Sequence, residues 1–375
     1  MSIQTKKKTF LKPDYRYINA DKFPNISKPC IIDCFSVDND RNFLSDYRNL
    51  KYLKIPENNL NLKLDLNIGY ENVKRKPETA ANEKLDHLLK FIINNKKSLV
   101  KDEKNNLLYN FVCFRGLLRL IMCTPYLNRE NWIILAIKYN GTIYLCAEET
   151  EEQRHERTNM NSYHLKCCSY GFKFEQYLLS DKPNEAPDTT SPVLEGEEFG
   201  AVYETNLEKK RILFGAEMDG IKSDKELNFN EVINWNDKCF IELKTKRYDK
   251  DFRQQMNFYK FKLRNWWCQS FLVGIDECIV GLRDDHGCVT KLETMYVRDM
   301  PKLAKGYWKP AICLKFCSDF LDFVNDTMET INCPYTVYKF QWTPNDIDSI
   351  THSLYVGKDN LRFIPDWYIT AMKQL

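Results

Sequence analysis

The sequence predicts an α+β fold. Three observations lead there: an apolar hairpin centred on Asn140-Gly141, two stretches with a 3.6-residue apolar period, and two apolar strand-like segments that carry charged residues at alternate positions. Strands and helices mix along the chain with no internal repeat, so a single domain over residues 26–375 is expected, preceded by a flexible basic stretch over 1–25. At 43% hydrophobic residues the 375-residue chain can bury a large core, and 13 Gly and 14 Pro argue against long flexible linkers.

Taken in order, residues 82–95 read as an amphipathic helix, because Leu85, Leu88, Leu89 and Ile92 recur at i, i+3, i+4 and i+7. Residues 132–147 read as the hairpin, since Asn-Gly between apolar runs matches the tightest strand-linking turns. The polar stretch 148–161 reads as a solvated helix or loop. Residues 180–198, with three prolines and many acids, read as a surface loop. Segments 211–221 and 239–245 read as strands that can pair across the polar connection between them. Residues 251–272 read as one helix with Phe252, Met256, Tyr259, Leu263 and Trp266 along one stripe.

Charge and composition exclude several classes. Lys plus Arg is 55 and Asp plus Glu is 52, a net charge of +3, so any nucleic-acid contact must rest on local positive charge. Apolar runs such as 132–137 fall far short of the ~20 residues that span a bilayer. The N-terminal MSIQTKKKTF has no apolar core behind its lysines, so no signal peptide is expected. The 14 cysteines include no CxxC pair, and Cys30/Cys34 and Cys313/Cys317 lack partners at zinc-finger spacing. Reduced thiols in a cytosolic or nuclear compartment are expected. The five histidines are dispersed, which disfavours a His-based metal site or triad.

The chemistry concentrates in ILFGAEMDGI and FIELKTKR. On a strand, alternate side chains share a face, so Glu217 and Asp219 point one way, and so do Glu242 and Lys244. Acids in apolar strands are costly unless a charge compensates them. Converging carboxylates suit Mg²⁺ or Mn²⁺. A lysine on the same face can orient a metal-bound water or meet a phosphate, the arrangement of metal-assisted phosphodiester hydrolysis. Each motif alone also occurs on solvated sheet faces; it is their coincidence, about 25 residues apart, that raises the nuclease-like reading. Glu175, in YGFKFEQYLL, is either a helix-surface acid or a third ligand. Residues 243–264 hold eight Lys/Arg against two Asp. They form either a track where Tyr and Phe stack single-stranded bases or a solvated basic face over core aromatics. Arg115, in FVCFRGLLRL, needs an anion if buried, either a phosphate or a structural carboxylate. Gln269, in NWWCQSFL, reads by itself as a hydrogen-bonded core residue.

From about residue 30 to the C-terminus the chain resembles the DXO family of decapping exoribonucleases. The likeness rests on CFSVDNDR, NEKLDHLL, FRGLLRL, YGFKFEQYLLSDKP, LFGAEMD, FIELKT, WWCQSFLVG and IPDWYITAM, collinear with the family. It implies two mixed β-sheets forming a central cleft with flanking helices, a PD-(D/E)xK nuclease-like fold. It implies two divalent cations, Mg²⁺ or Mn²⁺, on Glu175, Glu217, Asp219, Glu242 and the Leu243 carbonyl. Lys244 is implied at the phosphate or attacking water, Gln269 on RNA, Arg115 on a 5′-terminal phosphate, and Arg41 and Glu83 in substrate contact. Gly220, Cys268 and Leu282 depart from the family pattern, and none of them removes an ionisable group.

The resemblance implies hydrolysis of RNA 5′ ends in quality control: pyrophosphate removal from 5′-triphosphates, removal of incomplete or NAD-type caps, and 5′→3′ exonuclease action. Single-stranded RNA 5′ ends are the expected partner, and the nucleus, with the cytoplasm besides, the expected location. One rival is a mainly non-catalytic partner that activates and stabilises the nuclear 5′→3′ exoribonuclease. The other is a DNA nuclease of the broader superfamily.

Overall fold

The computed structural model describes residues 22–56, 62–344, 349–357 and 361–374. Most of the stretch expected to be flexible, residues 1–21, lies outside these. Its last residues are held in place: the Asn25 N–H donates to Glu208 Oε1 at 2.8 Å, and Phe23 meets Phe271 edge-on.

Among the described residues sixteen strands follow one another: β1 (Cys30–Val37), β2 (Phe43–Leu44), β3 (Tyr52–Leu53), β4 (Leu64–Asp65), β5 (Phe111–Phe114), β6 (Trp132–Tyr139), β7 (Thr142–Glu148), β8 (Leu179–Ser180), β9 (Glu198–Leu207), β10 (Lys210–Glu217), β11 (Gly220–Ile221), β12 (Phe240–Arg247), β13 (Glu277–Arg283), β14 (Cys288–Tyr296), β15 (Thr336–Trp342) and β16 (Thr351–Val356). The α-helices are α1 (Asp86–Asn94), α2 (Lys96–Leu99), α3 (Arg115–Cys123), α4 (Glu151–Thr158), α5 (Ser162–Leu178), α6 (Phe252–Asn257), α7 (Leu263–Leu272), α8 (Met300–Leu303), α9 (Pro310–Thr327) and α10 (Asp366–Lys373).

The strands form two sheets, in the orders β16-β15-β6-β7-β5-β10-β9-β1-β2 and β4-β14-β13-β12-β11-β3-β8. Both are mixed, as the family likeness implies. In the first sheet β5 runs parallel to β7 and β10; in the second β12 runs parallel to β13, and β11 to β3.

The apolar runs of the central strands have a simple cause: both faces of the first sheet are buried. In β6, Trp132, Ile134 and Ala136 enter the core packed by α3, α7 and α9, while Leu135, Ile137 and Tyr139 enter the opposite core beneath α1 and α10. The second sheet shares the larger core through Phe240, Cys278 and Val280. On its other face, Ile241, Leu243 and Ile279 pack against Tyr170, Phe174 and Leu178 of α5. The α5 contact is close. A Cβ at Gly281 would lie 2.5 Å from the Phe174 ring, so the helix seats on β13 only because position 281 has no side chain.

Three expected elements differ. The helix expected over 82–95 begins at Asp86, after a 3₁₀ turn over Glu78–Asn82. The helix expected over 251–272 is interrupted by a π-helical turn, Phe258–Lys262, which shifts the phase of the stripe. Phe252 therefore stays exposed while Leu263 and Trp266 are buried. The segments 211–221 and 239–245 do not pair along their length. They belong mainly to different sheets, and their strand pairing is confined to Gly220 and Ile221 against Ile241 and Phe240. The hairpin is as expected, with strands on either side of Asn140-Gly141. The polar stretch 148–161 holds α4, capped reciprocally by Thr150 and Gln153. All 14 cysteines are free thiols. No helix among the described residues is long and apolar enough to cross a membrane.

Candidate active site

The chain passes from one sheet to the other at residues 217–221, and the first two acids lie on that passage. Glu217 is the last residue of β10, and Asp219 stands in the break before β11. The expected same-strand, same-face geometry of Glu217 and Asp219 is thus absent: the strand ends between them, and the crossing itself turns both acids into one cavity. Gly220 makes the crossing possible. A Cβ there would lie 2.9 Å from the Lys51 carbonyl oxygen and from Leu179 Cδ2, where β11 closes against β3. The departure from the family pattern at this position therefore fits the local packing.

β12 supplies Glu242 and Lys244 on the face opposite Ile241 and Leu243. Glu242 is only 1% exposed, so every lone pair needs a partner. Arg115 Nη1 donates to Glu242 Oε2 at 3.2 Å and Gln269 Nε2 to Oε1 at 2.8 Å, and Lys244 Nζ also donates to Oε1. Lys244 Nζ reaches Gln269 Oε1 at 3.4 Å. The Leu243 N–H donates to Asp219 Oδ2 at 2.6 Å. Gln269 is thus a site residue, where its sequence context alone suggested a core residue. Arg115 takes the carboxylate option and also lines the neighbouring cavity.

Two cavities share a wall here. One, of about 330 Å³, is lined by Glu175, Glu217, Asp219 and acids of the 181–198 segment. The segment expected to be a surface loop therefore walls the site. The other, of about 760 Å³, is lined by Arg41, Lys76, Lys84, Arg115 and Arg119, with Glu83 and Gln269. Glu217 and Glu198 face both. The first turn of α3 opens onto the basic cavity, and a helix N-terminus favours anions.

The electrostatics are those of a crowded acid cluster. Burial, then Asp219 and Glu217, pushes the Glu175 carboxyl well above the usual carboxylate range. The protein packed around it, then Glu198 and Asp219, raises Glu217 to about 8, although the residue itself is exposed to the two cavities it faces. Burial, then Glu242, raises Asp219 to about 7. Burial also works against an ionised Glu242, but Lys244 and Arg115 outweigh it and hold this carboxyl below its ordinary value. At three carboxyls burial and like charge outweigh the nearby cations, and at Glu242 the cations win.

Among the described residues no three His, Cys, Asp or Glu side chains form a ready-made metal cage. Glu242 is turned towards its two cations instead. The donor chemistry nonetheless fits a hard divalent ion: every candidate ligand is an oxygen, and the under-compensated carboxyls face a common cavity.

Arg41 and Glu83 are ion-paired at 2.9 Å in the lining of the basic cavity. The basic run 243–264 is largely consumed structurally. Lys246 pairs with Asp249, Arg247 and Lys250 pair with Asp285, and Arg264 is buried over the Tyr126 ring. Phe258 is core and not a free stacking surface. Glu198, Lys76 and Arg119 were not singled out from sequence. Glu198 lies in the acid-rich GEEF string and Lys76 in RKPE, and neither carries an apolar alternation that would mark it.

The RAI1 like PD-(D/E)XK nuclease family model matches residues 27–369. The chain is 35% identical over 360 residues to the decapping and exoribonuclease protein Rai1 of Drosophila melanogaster, across 94% of this chain and 93% of that one. It is 32% identical over 357 residues to the decapping and exoribonuclease protein of Rattus norvegicus, across 94% and 87%. The crystal structure of Candida albicans Rai1 in complex with pU5-Mn²⁺ matches at a TM-score of 0.81 and 20% identity, covering 99% of this chain and 100% of that one; this likeness shows the fold.

Proposed function

This chain belongs to the RAI1 like PD-(D/E)XK nuclease family, and on that premise we propose that it hydrolyses RNA 5′ ends in RNA quality control, using divalent cations. Its substrates are 5′-triphosphate RNA, from which pyrophosphate leaves, and incompletely capped or NAD-capped RNA, with 5′→3′ exonuclease action from the same site. The relatives bear the name decapping and exoribonuclease protein, which supports this reaction class. The observation that carries the reading is the shared wall at Glu217, with acids on one side and Arg41, Lys76, Arg115 and Arg119 on the other. A phosphate chain on the basic side lies against the carboxylates that would hold metal.

Glu175, Glu217, Asp219, Glu242 and the Leu243 carbonyl form the ligand set for two cations, Mg²⁺ or Mn²⁺. Bound there, the cations supply Lewis acidity and neutralise charge at the reacting phosphate. Lys244 sets a positive charge beside the attacking water or phosphate, and Gln269 orients it through their mutual contact. Arg115 and the first turn of α3 receive a 5′-terminal phosphate, and Arg41 and Glu83 contact the substrate in the same cavity. The protein works in the nucleus, with a cytoplasmic pool besides.

The test is product analysis with one RNA sequence carrying a 5′-triphosphate, an unmethylated cap, an NAD cap or a 5′-monophosphate, beside matched 5′-phosphorylated DNA. Cation-dependent release at the RNA 5′ ends is expected. No hydrolysis of any of them, with binding to the nuclear exoribonuclease retained, would replace this reading with the scaffold role. A marked preference for DNA would make the protein a DNA nuclease.

A further inference from the structure

Glu198 opens β9 and faces both cavities, and no motif used above includes it. Its Oε1 lies 2.9 Å from Arg41 Nη1 and 2.5 Å from Lys76 Nζ. Arg41 is otherwise spent: Nε and Nη2 donate to Glu83, and Nη1 to the Gly196 carbonyl at 2.6 Å. Its backbone sits at φ 65°, the left-handed region that costs a non-glycine residue, so these partners over-determine where the guanidinium points. Around the basic cavity five Lys and Arg side chains face four Glu side chains, so one carboxylate more or less decides whether the cavity has surplus positive charge.

We propose that Glu198 is a specificity-determining residue. It stands in for a phosphate on the side of the cavity away from α3, holding the Arg41–Lys76 cation pair until the phosphate of an RNA 5′ end, received by Arg115 and the first turn of α3, competes for the same cations. This rests on the reading of the basic cavity as the 5′-end site. The exchange has a direction. A 5′-monophosphate that displaces one carboxylate gains little charge, whereas a triphosphate brings more charge and spans further cations. Glu198 therefore disfavours monophosphate ends relative to triphosphate ends.

The experiment measures Kd by fluorescence anisotropy, in EDTA, for one RNA sequence with a 5′-triphosphate, 5′-monophosphate or 5′-hydroxyl end. Glu198→Gln should tighten monophosphate binding by about tenfold and triphosphate binding by about threefold or less, and leave 5′-hydroxyl RNA unchanged. Unchanged or weaker monophosphate binding, or equal tightening of the 5′-hydroxyl RNA, would overturn the proposal. Lys76→Gln changes a side chain that is 40% exposed, so it tests the same pair even where Glu198→Gln fails to fold. It should weaken monophosphate binding several-fold, and no effect there also defeats the proposal. A wild type that does not distinguish phosphorylated from 5′-hydroxyl RNA sinks the cavity assignment along with it. A wild type that does distinguish them, with variants that shift nothing, sinks only the role of Glu198.

Discussion

The Arg115 guanidinium, on the helix α3 that follows β5 of the first sheet, meets the Glu242 carboxylate on β12 of the second sheet at 3.2 Å. Both side chains are nearly inaccessible, with side-chain exposures of 9% and 2%. A charge buried that deeply depends on its partner. Arg115→Met leaves Lys244 as the sole cation on Glu242, and the expected cost is about 3 kcal/mol of unfolding free energy in urea. Stability within 0.5 kcal/mol of wild type would show that the pair is not structural.

The raised carboxyls make metal-free stability depend on pH in a defined direction. A carboxyl whose folded pKa is raised holds its proton more tightly in the native state. That advantage is complete below the unfolded value of about 4 and is lost as pH rises through about 7 for Asp219 and about 8 for Glu217. Melts in EDTA should therefore show a lower Tm at pH 8.5 than at pH 6. Mn²⁺ should offset most of that decline, because binding requires the ionised ligands. A metal-free Tm that is flat or rises across this window contradicts the electrostatic account.

Gly281→Ala tests how Glu175 is positioned from a distance. The new Cβ drives into the Phe174 ring, whose helix carries Glu175. The expected loss is about 1–3 kcal/mol in stability, together with a higher Mn²⁺ concentration for half-maximal activity. A variant with unaltered metal dependence would separate Glu175 from the packing of α5.

Lys244→Met removes the ammonium beside Glu242 and Gln269. The rate of 5′-end hydrolysis should fall by about 10²–10³, with weaker effects on RNA affinity. A change confined to KM would assign Lys244 to binding alone.

Glu217, Asp219, Glu242 and Lys244 were legible because acids and a lysine in apolar strands are costly and so stand out. Glu242 and Lys244 on one face of β12 followed from strand alternation. Glu217 and Asp219 reached one cavity for a reason that alternation does not contain: β10 ends between them, and the chain crosses to the second sheet. The π turn at Phe258–Lys262 was invisible to a 3.6-residue template, and so were the exposure of Phe252 and the burial of Arg264. Glu198 and Lys76 lay in polar strings whose meaning depends on Arg41, far away in sequence. Long-range pairing of this kind has no local signature.

The most direct measurement is Mn²⁺-dependent pyrophosphate release from 5′-triphosphate RNA by the wild type and by the Asp219→Ala, Glu242→Ala double variant, both verified as folded. The account predicts steady release by the wild type and a loss of at least about 10³-fold in the variant. Equal release by both proteins would contradict the assignment of these carboxylates to the reaction.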